Sequence, residues 1–153
     1  MKTLKKPLPN QEKTKKVKNT IVFDAYAWVE YALDGPNADL VAEKLSMVQQ
    51  ALTPATVIGE LKEAMLKQNV PRKKISAILN YIKNRSTIVN IDADIAEKAG
   101  EINFKHKKQV KDWGMLDSLV YATAIVKKAQ VITGDPPLQK LAKRHLHRQI
   151  KHC

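Results

Sequence analysis

The chain has almost no cysteine: the only one among its 153 residues is Cys153, the last. That excludes a disulfide framework and makes the reducing cytoplasm the expected compartment. There is no run of about 18 apolar residues, so nothing in the sequence reads as a membrane span. The lysine-rich opening MKTLKKPLPNQEKTKKVK is followed by no apolar h-region, so it does not read as a secretory leader. A glycine-rich phosphate loop is missing as well, which leaves nucleotide hydrolysis of the P-loop kind without support. His145, His147, His152 and Cys153 cluster near one end, but their spacing fits no tetrahedral zinc pattern.

Acid is also scarce at the two ends. Residues 1–18 carry seven lysines and one glutamate, and residues 136–153 carry five Lys or Arg and no acid. The intervening stretch is nearly balanced, with 15 basic and 14 acidic side chains, so the overall +12 belongs to the ends. Basic ends suit a polyanion such as nucleic acid, or serve only to keep the chain in solution.

What is present is enough apolar material, 44% of residues, to build one ordinary domain. Residues 1–19, with Pro7 and Pro9 and no periodicity, read as a basic, flexible tail, and residues 20–153 as a single domain. Thr20–Phe23 reads as a buried strand ending at Asp24, followed by a helix over AYAWVEYAL. A second helix covers ADLVAEKLSMVQQ, and a brief strand closes at Leu52. Thr53-Pro54 then reads as an N-cap with proline at N1, opening the helix ATVIGELKEAMLKQN. Pro71 starts another helix, STIVNI is a strand, and Asp92 caps a long helix running to Lys108. Residues 115–128 form a helix apolar nearly all round, and QVIT a last inner strand before a basic helix over LQKLAKRHLHR. Short strands alternating with helices predict an α/β domain with a central parallel sheet flanked by helices on both faces. In such sheets the ligand sits beyond the carboxyl ends of the strands.

Four acids fall where that edge would be. Asp24 directly follows the first strand and Asp135 the last, and each could equally be a helix N-cap. Asp117 sits near a helix start on an otherwise apolar face, where an unpartnered carboxylate is costly unless it meets a cation, a metal or a donor, the helix dipole being the plain alternative. Glu60 borders the apolar stripe of Val57, Leu61 and Ala64, whereas Glu63 points out to solvent. Four carboxylates in one pocket repel and hold protons, and a divalent cation removes that cost. Ligation by oxygen alone suits Mg²⁺ or Mn²⁺, and such an ion beside a phosphodiester polarises the phosphoryl oxygen and activates water. One ion or two would both serve.

The stretches VFDAYAWVEY, TPATVIGELKEAM and GMLDSLVYATAIVKKAQVITGD resemble the PIN-domain family, in particular its small stand-alone archaeal and bacterial members of the VapC toxin type. The likeness runs from about Thr20 to about Ala142. It implies a Rossmann-like fold and a Mg²⁺- or Mn²⁺-dependent endoribonuclease leaving a 5′-phosphate and a 3′-hydroxyl. By motif, Asp24, Glu60, Asp117 and Asp135 would be the metal-binding catalytic acids. Thr133 would be the small hydroxyl residue before the last of them. The resemblance further implies a homodimer and, where the toxin role holds, an antitoxin protein as partner. Two positions depart from the pattern: Ala25 stands where many relatives have Ser or Thr, and Leu138 where many have an aromatic residue.

Lys107, Lys108 and Lys111, together with Arg144 and Arg148, read either as solvated helix faces or as a rim for RNA phosphates. Tyr26, Trp28 and Tyr31 could pack a dimer partner or an antitoxin segment, core packing being the plainer reading. A PIN-like module that binds or helps process RNA without a toxin role is the competing function. A phospho-receiver is disfavoured, since Asp24 stands alone after the first strand and no lysine directly follows the last.

Overall fold

The computed structural model describes residues 19–133. The basic tail over residues 1–18, the basic C-terminal helix, Asp135, Arg144 and Arg148 lie outside the described residues. Within them four strands form one parallel sheet. The strands are β1 (Thr20–Phe23), β2 (Gln50–Pro54), β3 (Thr87–Val89) and β4 (Gln130–Ile132), in spatial order β3-β2-β1-β4. Six helices connect them: α1 (Ala25–Ala32) and α2 (Ala38–Met47) between β1 and β2, α3 (Ala55–Lys67) and α4 (Arg72–Arg85) between β2 and β3, and α5 (Ala93–His106) and α6 (Met115–Val126) between β3 and β4.

The order explains why β1 reads as an unbroken apolar run. It is paired on one side with β2 (Val22 opposite Leu52) and on the other with β4 (Phe23 opposite Ile132), and every one of its residues is buried. Two successive crossovers carry the chain from β1 to β2 and on to β3. The third returns past both to the free side of β1. Right-handed crossovers place the first two helix pairs on one face and α5–α6 on the other. In keeping with this, α6 packs against β1, β2 and β4 with α5 behind it, while α1, α2, α3 and α4 pack on one another.

The core is built on Val22, Phe23, Trp28, Val57, Leu61 and Ile95, all with no measurable exposure. The rings of Phe23 and Trp28 meet at 5.1 Å. Through this core runs one chain of hydrogen bonds. The indole Nε1 of Trp28 donates to Thr53 Oγ1 at 3.0 Å, Thr53 Oγ1 and Ser86 Oγ lie 2.7 Å apart, and Ser86 Oγ donates to the Ile82 carbonyl at 2.8 Å. Each hydroxyl has one proton, so the direction is fixed from Trp28 to Thr53 to Ser86 to the carbonyl. The chain ties α1 to β2 and to the end of α4.

This corrects the reading of Thr53-Pro54. Thr53 lies within β2 and caps nothing, because its hydroxyl is taken up by Trp28; Pro54 occupies the cap position of α3. Two further boundaries move. Helix α2 stops at Met47 so that Gln50 can join the sheet, and β3 begins after Ser86, whose hydroxyl bonds back into α4. Asp92 caps α5 as expected, accepting from Ile95 N at 2.9 Å. Asn19, grouped with the tail by composition, is already tied to the sheet, its carbonyl accepting from Gln49 N and Gln50 N.

Thr53→Val keeps the shape but strips two buried partners of their bond. The expected loss is about 1–3 kcal/mol of unfolding free energy, measured by urea denaturation. An unchanged midpoint and slope would contradict this role for the chain of hydroxyls.

Candidate active site at the carboxyl edge of the sheet

The sheet order makes the gap between β1 and β4 the point where the chain reverses its direction of winding, which is where open α/β sheets bind ligands. Asp24 is the first residue past β1 and Thr133 the first past β4. With Phe23 opposite Ile132, the two stand beside each other, and Asp24 N donates to the Ile132 carbonyl at 3.3 Å. Both are buried, Asp24 at 6% and Thr133 at 8% exposure. Asp24 also caps α1, its Oδ1 accepting from Ala27 N at 2.8 Å. The cap is observed, and it leaves the carboxylate at the carboxyl edge of the sheet, so the two readings of Asp24 are compatible.

Asp117 has the same double character. It stands in the first turn of α6, and its Oδ2 accepts from Gly114 N at 3.0 Å. The start of α6 is fixed by Trp113, Ser118 and Asn103, none of them among the candidate site residues. Trp113 Nε1 donates to Ser118 Oγ at 2.8 Å, and Ser118 Oγ donates to Asn103 Oδ1 of α5 at 3.2 Å. Trp113 packs its ring against His106 at 5.6 Å. A buried serine next to an acid was the available signal, but its partners come from another helix.

Glu60 is half-buried on α3, while Glu63 is exposed and pairs with Lys67 at 2.7 Å. Glu60 senses the other acids. Its carboxyl is pushed up from 4.5 to about 7, first by burial, then by the charges of Asp117, Asp24 and Glu63. Three elements thus deliver Asp24, Glu60 and Asp117 to one field of negative potential. Among the described residues, no three His, Cys, Asp or Glu side chains converge closely enough to hold a metal ion by themselves. The chemistry of the donors nevertheless fits a hard divalent cation: they are carboxylates, and one of them is held back from ionising by burial and by the charge of the others.

Tyr26, read as core, is instead 44% exposed beside the site, and its phenol is raised by the charges of Glu30 and Asp24. Trp28 is fully buried, and Tyr31 stacks on Tyr81 at 5.9 Å with their hydroxyls 3.0 Å apart. These two tyrosines line an open groove of about 540 Å³ between α1, α2 and α4, together with Ala38, Ala42 and Ile78. Lys107, Lys108 and Lys111 are exposed where α5 ends and the chain turns toward α6.

The family model of the PIN domain matches residues 21–144. Among solved structures, the chain is similar to VapC20 of Mycobacterium tuberculosis, described as a toxin cleaving the sarcin–ricin loop. The TM-score is 0.66 at 16% identity, covering 79% of this chain and 94% of that one. It is also similar to FitAcB of Neisseria gonorrhoeae, with TM-score 0.61 at 23% identity over 80% and 93% of the two chains. VapBC-1 of nontypeable Haemophilus influenzae gives 0.63 at 18% identity over 79% and 90%. These likenesses show a shared fold. No protein of curated function matches the sequence. Among the described residues no helix is long and apolar enough to cross a membrane.

The raised carboxyl of Glu60 fixes the sign of a pH effect. Its folded value of about 7 exceeds the unfolded 4.5, so the folded state is not penalised below pH 4.5 and loses stability as pH rises through 7. In metal-free protein, Glu60→Gln is expected to raise the thermal midpoint at pH 8 and to leave it unchanged at pH 4.5. An equal shift at both pH values would show that the carboxyl is not strained by its neighbours.

Proposed function

Because the chain belongs to the PIN-domain family, we propose that it is a Mg²⁺- or Mn²⁺-dependent endoribonuclease, the toxin of a VapBC-type toxin–antitoxin pair. The observation that carries the reading is the Glu60 carboxyl, pushed up to about 7 by burial and then by the charges of Asp117 and Asp24, with Asp24 at the switch point of the sheet. Asp24, Glu60, Asp117 and Asp135 would hold the cation, and Thr133, beside Asp24, would orient a water or a phosphate oxygen. When bound, the ion polarises the scissile phosphodiester and eases attack by water, leaving a 5′-phosphate and a 3′-hydroxyl.

The chain's own residues do the positioning. Asp24 is anchored by its bond to Ala27 N and Asp117 by its bond to Gly114 N, so neither carboxylate swings freely when substrate arrives. The basic ends draw in the polyanion. The structural relatives include a toxin–antitoxin complex of Klebsiella pneumoniae and a VapBC2 complex of Rickettsia felis. That company supports an antitoxin partner here, and the groove between α1, α2 and α4 gives such a partner an apolar seat. A homodimer in solution and a cytoplasmic location belong to the same reading.

The test exploits the double role of the two aspartates. Asn caps a helix as well as Asp does at position 24, and an Asn at position 117 keeps a side-chain oxygen to accept from Gly114 N, so Asp24→Asn and Asp117→Asn are expected to remain folded. Both should lose at least about 100-fold in cleavage of an end-labelled structured RNA in Mn²⁺. Chelation by EDTA should abolish cleavage by the wild type. Wild-type rates in both variants would contradict the assignment. RNA bound but never cut in the presence of metal would favour the non-cutting RNA-binding module.

A further inference from the structure

The corner between α5 and α6 carries a combination that the fold does not require. Phe104, in the last turn of α5, is 74% exposed, and no other exposed large apolar residue among those described exceeds it. Lys108 Nζ stands 5.5 Å from the centre of its ring. Residues 102–111, INFKHKKQVK, contain four lysines and no acid. The helix dipole accounts for a lysine in the last turn, such as Lys105, but not for a phenylalanine held out into solvent.

One hydrogen bond ties the last turn of α5 to the start of α6, the helix that carries Asp117. Asn103, next to Phe104, accepts a hydrogen bond from Ser118, which is next to Asp117. An exposed aromatic ring among cations is the arrangement that binds single-stranded nucleic acid, the ring stacking on a base while the ammonium groups meet phosphates. A second copy of the chain is the competing occupant. A symmetric contact there would set lysines against lysines with no acid in the segment to offset them.

Resting on the nuclease reading, we propose that Phe104, with Lys105, Lys107, Lys108 and Lys111, forms a platform on which an unpaired base of the RNA substrate stacks as the strand enters the carboxylate site. Phe104 is the stacking residue and the lysines are phosphate contacts. The platform selects single-stranded over duplex RNA, because only an unpaired base presents its face to the ring.

The experiment is binding of a short fluorescein-labelled single-stranded RNA, followed by anisotropy in EDTA, where hydrolysis is stopped. Phe104→Ala should weaken binding about tenfold or more, and Phe104→Trp should retain it, since any aromatic face stacks. The pair Lys107→Ala with Lys111→Ala should flatten the dependence of affinity on salt. Binding of the corresponding duplex should be insensitive to Phe104→Ala. Unchanged single-strand affinity in Phe104→Ala, alongside wild-type cleavage, would overturn the platform and leave the nuclease standing. Unchanged affinity with a shift from dimer to monomer in sedimentation would assign the surface to a second copy instead. A wild type that neither binds nor cuts RNA would overturn both readings.

Discussion

Everything at the candidate site depends on β1 being paired on both sides by parallel strands. The register of β1 with β2 and β4 buries Thr20–Phe23 completely and leaves the next residue, Asp24, at the one point where the winding reverses. Parallel pairing forces every strand to end at the same edge, and the loops and helix starts that follow must gather there. Glu60 reaches that edge on the helix after β2, and Asp117 on the helix that crosses back to β4. The site is thus a consequence of topology, and the local sequence around each acid has only to point it inward.

The arrangement has an electrostatic cost that the fold does not hide. Asp24 and Asp117 are each partly stabilised by a backbone N–H at a helix start, where the dipole favours an anion. Glu60, in the second turn of α3, has no such help, and burial together with the charges of Asp117 and Asp24 pushes its carboxyl up to about 7. Acids that feel one another's charge suit the cation proposed for them, whereas a scaffold needing only helix caps has no use for Glu60 in the field of the other two.

Much of this was legible in the sequence, for reasons that can be stated residue by residue. The run TIVF ending in Asp24 and the alternation of short strands with helices announced a parallel α/β sheet, because strands buried on both faces must be continuously apolar. Asp92 was legible because capping is local: its carboxylate bonds three residues along. That Glu60 borders the core while Glu63 faces solvent was legible from helical periodicity. What failed was non-local. Thr53 before a proline looks like a cap, yet Trp28, 25 residues away in sequence, claims its hydroxyl. Tyr26 looks like core because its helix is apolar, yet it faces out beside Asp24. The clamp of Trp113, Ser118 and Asn103 on the start of α6 was illegible because it joins two helices whose packing no local pattern encodes.

The central claim is that the carboxylates of three separate elements form one electrostatic unit suited to a divalent cation. The most direct measurement is a carbon-13 NMR titration of the Glu60 carboxyl in selectively labelled protein, without and with Mg²⁺. The account predicts a midpoint near 7 in metal-free protein, pulled down into the ordinary carboxylate range when Mg²⁺ is added. A midpoint near 4.5 that ignores Mg²⁺ would contradict it, returning Asp24 to a plain helix cap and Asp117 to a first-turn acid bonded to the Gly114 amide.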